Sequence, residues 1–111
     1  MAETIVLMSF AQTAIESAKP IGIAAEDTEQ LLKLTTEFDS IAAGSPGPER
    51  RKALVTKTRE IHALCQRMRV TAVAKIGGAG ALASRPDCST LLETLQKVRD
   101  MAAHEATKVH G

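Results

Sequence analysis

The sequence predicts an all-α protein, folded as an up-down-up-down four-helix bundle. Apolar residues recur with the helical period of 3.6 in four segments, and short connections rich in Pro and Gly separate these segments. Aromatic residues make up only 2% of the chain, whereas β-sheets draw on aromatic and β-branched side chains. The alternative is a three-helix bundle with helix 1 swapped into the partner chain of a dimer. The 111 residues predict a single helical-bundle domain over residues 1–111.

Helix 1 is predicted from Thr4 to about Lys19, where Pro20 and Gly22 end it. Its inward line consists of Leu7, Ala11, Ala14 and Ala18. Helix 2 is predicted from about Thr28 to Ala43. Its inward line is Leu31, Leu34, Thr35, Phe38, Ile41 and Ala42. Asp27 is its expected N-cap, since Gln30 follows at capping-box spacing.

Helix 3 is predicted from Pro48 to Ile76, longer than its neighbours. Its inward line is Leu54, Thr58, Ile61, Cys65, Met68, Ala72 and Ile76. Helix 4 follows Pro86, with Thr90 or Asp87 as its expected cap. Its inward line is Leu91, Leu95, Val98, Ala102, Ala106 and Val109.

The glycine cluster after helix 3 matches G-x-G-x-x-A over residues 78–83. A dinucleotide-binding loop needs a strand before this motif and a helix opening directly from it. Here a long helix comes first, and no Gly-Lys-Ser/Thr follows. We therefore expect Gly77 to stop helix 3 in the left-handed conformation, and the glycines after it to form a connector.

Charge is unevenly distributed along the chain, although the net charge is only +1. Residues 1–44 carry seven acidic and two basic side chains, whereas residues 48–76 carry eight basic and two acidic ones. The basic helix 3 either pairs with acidic neighbours or offers a contact surface to a partner. Nucleic acid is an alternative partner for the basic helix 3. The pI of about 7.8 argues against it, because nucleic-acid-binding domains are usually more basic.

Nothing in the sequence indicates catalysis, a cofactor or a metal site. The sequence lacks G-x-S-x-G, H-E-x-x-H, C-x-x-C and Glu-x-x-His. We therefore expect a non-catalytic adaptor, regulator or inhibitor. Its expected partner is another protein, of which an acidic one is an option, or a second copy of itself. A thiol-based redox sensor is a further alternative, because Cys88 lies near Arg85 and a helix start, two features that lower a thiol pKa.

Two candidate contact surfaces follow from the helical wheels. One is the basic strip of helix 3, formed by Arg51, Arg59, His62 and Arg69, and the other is the apolar flank of helix 1, formed by Met8 and Phe10. The N-terminus has no basic region and only a short apolar run, so neither a signal peptide nor a membrane span is predicted. With two cysteines and no disulfide framework, the expected location is the cytoplasm.

Overall fold

Four α-helices form the fold, as the sequence predicts. The computed structural model describes residues 7–45 and 47–107. Helix α1 spans Leu7–Ala18, α2 Ala25–Ala42, α3 Pro48–Lys75 and α4 Pro86–Thr107, with 3-10 helices at Lys19–Ile21 and Ala79–Ser84. Helices α1 and α3 each pack against both α2 and α4, which is the packing of an up-down four-helix bundle. Helix α1 therefore packs within its own chain, unlike in the swapped alternative.

Cross-helix pairs show that neighbouring helices are antiparallel. Along α3, Lys57 Nζ lies 3.0 Å from a carboxylate oxygen of Glu37, whereas the later Arg67 contacts the earlier Asp27 at 2.7 Å. The same reversal relates α3 to α4 through the pairs Thr58–Ala102 and His62–Arg99. At 28 residues α3 is about 42 Å long, so it runs nearly the full 46 Å of the long axis.

The core is built from aliphatic side chains and a stripe of small residues on α1. Leu7, Ala11, Ala14 and Ala18 are all 0% exposed, as the helical wheel predicts. Phe38 is the one aromatic ring among the fully buried side chains of the described residues. The predicted inward lines of α2, α3 and α4 supply most of the remaining core, while Leu64, Cys88 and Thr94 are buried additions that those lines omit. Val109 lies outside the described residues.

Asp39 of α2 caps the first described turn of α1. Its two carboxylate oxygens accept hydrogen bonds from the backbone N–H groups of Leu7 at 2.8 Å and Met8 at 3.0 Å. Such N–H groups lack partners within their own helix, and a carboxylate there also complements the helix dipole. The predicted start of helix 1 at Thr4 lies outside the described residues.

Arg50 ties the ends of three helices together. Its Nε and Nη2 donate to the carbonyl oxygen of Ala42, the last residue of α2, at 3.2 and 2.8 Å. Its Nη2 also lies 3.2 Å from Glu105 Oε1 of α4. A guanidinium suits this position because it presents several donors in one plane.

Two predicted caps are wrong. Helix α2 begins at Ala25 with Ala24 at the N-cap, so Asp27 lies inside the first turn and pairs with Arg67. Helix α4 begins at Pro86, so both candidate caps lie inside it. Asp87 is in its first turn and pairs with Arg85, and Thr90 Oγ1 donates to the carbonyl oxygen of Pro86 one turn earlier. In both cases a residue type that favours N-caps lies inside the helix instead. There a carboxylate interacts favourably with the helix dipole, and a hydroxyl can donate a hydrogen bond to a carbonyl oxygen of the preceding turn.

The glycine cluster does stop α3. Ile76 is the C-cap, and Gly77 follows with φ +96°. The N–H of Gly77 donates to the carbonyl oxygen of Ala74 at 3.2 Å, and that of Gly78 to the carbonyl oxygen of Val73 at 2.9 Å. These two bonds form a Schellman motif, so the glycines satisfy the last carbonyl groups of α3. The connector that follows is a 3-10 helix, a regular structure that the prediction did not anticipate.

We expect Gly77→Ala to lower the free energy of unfolding by about 1–2 kcal/mol, because a Cβ atom is strained at this positive φ although the space around it is open. Gly80→Ala is the matched control, since its φ is unexceptional and no atom lies within 4 Å of the added Cβ. Urea unfolding followed by circular dichroism measures both. Equal stability of the two variants would contradict the assigned helix stop.

Candidate functional site

One flank of α3, from its edge with α4 toward the outside of the bundle, carries a continuous strip of basic and apolar side chains. At 100° per residue the strip covers an arc of about 100°. We call it the outer face of α3. Its side chains are exposed or partly exposed, and it consists of Arg51, Lys52, Val55, Arg59, His62, Gln66, Arg69, Val70 and Val73. The predicted basic strip lies entirely on this face.

The basic residues of α3 divide into two groups. Arg50, Lys57 and Arg67 each contact a carboxylate of another helix. The hydrogen bond to Glu37 is the largest effect on Lys57 and raises its pKa. These three side chains are engaged in holding the bundle together.

The second group is exposed and has no acidic partner among the described residues. It comprises Arg51, Lys52, Arg59, Arg69 and Lys75. For the three arginines the sequence contains the reason, since none has an acidic residue three or four positions away on its own helix. The expectation that acidic helices neutralise α3 therefore holds for one group and fails for the other.

Apolar side chains lie between these exposed basic residues on the outer face of α3. Val70 is 59% exposed, the one large apolar side chain exposed to such a degree in the part of the chain that the structure describes. Two shallow grooves run along the outer face of α3. One has Val70 and Val73 beside Arg69, and the other has Val55 beside Arg51 and Arg59. Arginine is enriched at protein-binding surfaces, and exposed apolar side chains beside it can be buried by a partner.

His62 lies at the edge of this face, where α3 meets α4. Its Nε2 is 2.7 Å from Arg99 Nη2, which identifies Nε2 as the acceptor. The sequence interpretation missed Arg99. The signal was present, because Arg99 flanks the inward line of helix 4 with no acidic residue three or four positions away.

Met8 and Phe10 do not form one surface. They lie two positions apart on α1, so their side chains point to opposite flanks of the buried stripe. Both are partly buried, and Phe10 packs against the core. The structure thus brings together the four predicted residues of helix 3 and separates the two of helix 1.

Cys88 is buried, which contradicts the expectation of a thiol with a lowered pKa. Its side chain is 0% exposed, and burial, followed by the nearby Asp87 carboxylate, raises its pKa. Arg85 acts in the opposite direction with a smaller effect, since it pairs with Asp87 at 2.9 Å. Burial also raises the pKa of Cys65, to about 12. Both cysteines are free, and neither environment favours the thiolate.

Within residues 7–45 and 47–107, no three His, Cys, Asp or Glu side chains cluster in a way that could hold a metal ion. His104, on α4, is exposed. None of the described helices is long and apolar enough to cross a membrane.

Neither family models, curated proteins nor solved structures match this chain.

We expect both cysteines to react slowly with iodoacetamide at pH 7.5, at rates that rise together when urea unfolds the protein. The cause is the raised pKa of each thiol combined with burial, since only the exposed thiolate attacks the reagent. Mass spectrometry of the labelled peptides separates the two sites. Rapid labelling of Cys88 in the folded protein would restore the redox-sensor interpretation.

Proposed function

We propose that this protein is a small, non-catalytic adaptor, regulator or inhibitor that binds an acidic, amphipathic segment of another protein through the outer face of α3. The observation that carries the proposal is that the exposed Val70 lies among arginines that form no ion pair with a carboxylate of the described residues. A partner segment with acidic side chains on either side of an apolar row would cover the valines and neutralise Arg59 and Arg69.

The apolar content of this face favours a protein over a nucleic acid. A surface that binds phosphates gains little from exposed valine, and single-stranded nucleic acid usually stacks on aromatic rings. The outer face of α3 has no Phe, Tyr or Trp, and Phe38 is fully buried. The net charge of +1 also gives little general attraction to phosphates.

Charge likewise favours a different protein over a second copy bound through the same face. In a symmetric dimer each patch meets its own copy, which would place Arg59 and Arg69 near their counterparts. Like charges facing each other oppose such an interface. We propose the cytoplasm as the location, supported by two free cysteines in a chain of this size.

The test is capture of partners from a lysate of the source cells after nuclease digestion, with the purified protein as bait. We expect a protein that binds in stoichiometric amount and whose recovery falls at least about tenfold with Arg59→Glu/Arg69→Glu, because reversed charges repel an acidic segment. Val70→Asp should cause a similar loss through the apolar contact.

Lys33→Glu/Lys97→Glu is the matched control, since it changes the net charge equally at exposed positions of α2 and α4. It should leave capture unchanged. Equal loss with the control would mean that binding follows net charge alone, and loss upon nuclease treatment would favour nucleic acid. Either result would contradict the proposal, as would a wild-type protein that sediments as a dimer and becomes a monomer with Val70→Asp.

A further inference from the structure

A second feature lies beside the outer face of α3, in the groove between α3 and α4. We call it the α3–α4 groove. Its apolar lining comes from Cys65, Leu92 and Leu95, and its polar lining from Arg69, Glu93, Gln96 and Arg99. Arg69 belongs both to this groove and to the outer face of α3, so the two surfaces are continuous.

Arg99 is the unusual member of the groove. It is partly buried, and its Nε is a buried donor without an acceptor among the described residues. Its Nη2 contacts Nε2 of His62, an acceptor that carries no negative charge and so leaves the positive charge of Arg99 uncompensated. A buried donor of a charged group without an acceptor is costly, so this guanidinium favours an anion that can reach it.

The surroundings of Arg99 add to its preference for an anion. Arg69 brings a second guanidinium to the same groove, and it forms no ion pair within the described residues. The positive charge of Arg99 also lowers the pKa of Cys65, against the larger effect of burial. Because Cys65 belongs to the apolar lining, the field of Arg99 reaches that side of the groove. Coulomb attraction increases where low-dielectric side chains replace water.

Glu93 is the one acidic side chain that lines this groove, and no ion pair joins it to either arginine within the described residues. The other nearby carboxylate, Asp100, accepts a hydrogen bond from Gln96 Nε2 at 2.8 Å. Glu93 should therefore oppose an incoming anion, whereas Asp100 is already engaged.

We propose that the α3–α4 groove is a binding site for a carboxylate, held between Arg69 and Arg99. The inference rests on the proposed function in that the carboxylate belongs to an acidic side chain of the partner segment. A planar carboxylate can accept two parallel hydrogen bonds from one guanidinium. On Arg99 these bonds would come from Nε, which otherwise lacks an acceptor among the described residues, and from a terminal nitrogen.

The test follows the arginine Nε–Hε resonances of the purified protein by NMR while acetate replaces chloride at constant ionic strength. We expect the Arg99 resonance to shift saturably and that of Arg51 to stay nearly unchanged. Arg51 is the internal control, because it is an exposed arginine of α3 that forms no ion pair within the described residues and does not line the groove.

Two variants sharpen the result. Arg69→Gln should raise the acetate concentration for half-saturation about threefold to tenfold, since one of two cations is lost. Glu93→Gln should lower the acetate concentration for half-saturation by a similar factor. This would be tighter binding, which damage to the fold would not produce. Inorganic phosphate, titrated in the same way, distinguishes a carboxylate site from a general oxyanion site.

Equal, unsaturated shifts of Arg51 and Arg99, or no effect of Glu93→Gln, would overturn the site. Saturation with phosphate but not with acetate would overturn its assignment to a carboxylate. Because these titrations need no protein partner, their failure is distinguishable from failure of the capture experiment.

Discussion

The close approach of α1 to its neighbours is the constraint on which the rest of the structure depends. The described core has a single fully buried aromatic ring and is otherwise filled by smaller, mostly aliphatic side chains. Such side chains would not fill wide gaps between helices, so the helices must pack closely. The stripe of Ala11, Ala14 and Ala18 removes that problem because small side chains let α1 pack tightly against α2 and α4. Asp39 then fixes the start of α1 on the end of α2.

This compact packing determines which charges of α3 remain available. Arg50, Lys57 and Arg67 face neighbouring helices and find carboxylates there. The exposed cations form no ion pair within the described residues, and Arg51, Arg59 and Arg69 have no acidic residue three or four positions away on α3. The same geometry exposes Val70, so unpaired charge and apolar surface coincide. We regard this coincidence as the strongest indication of a contact surface.

Much of the fold could be predicted because helical periodicity identifies the buried residues and glycine marks where α3 ends. Capping was less predictable, since Asp27 is chemically suited both to an N-cap and to the ion pair with Arg67 that it forms. The tertiary bond from Asp39 and the burial of Cys88 depend on which helices meet, which local sequence does not encode. The basic strip followed from spacing alone, whereas the α3–α4 groove needs Arg99 from another helix.

Urea unfolding of two triple variants of equal net charge tests whether the two groups of cations on α3 have different roles. We expect that replacing Arg50, Lys57 and Arg67 with Gln lowers the free energy of unfolding by about 2 kcal/mol, because three carboxylates lose their cationic partners. Replacing Arg51, Arg59 and Arg69 with Gln should change it by less than about 0.5 kcal/mol. A loss from the second variant as large as from the first would contradict the account, since the outer face of α3 would then serve the fold and not a partner.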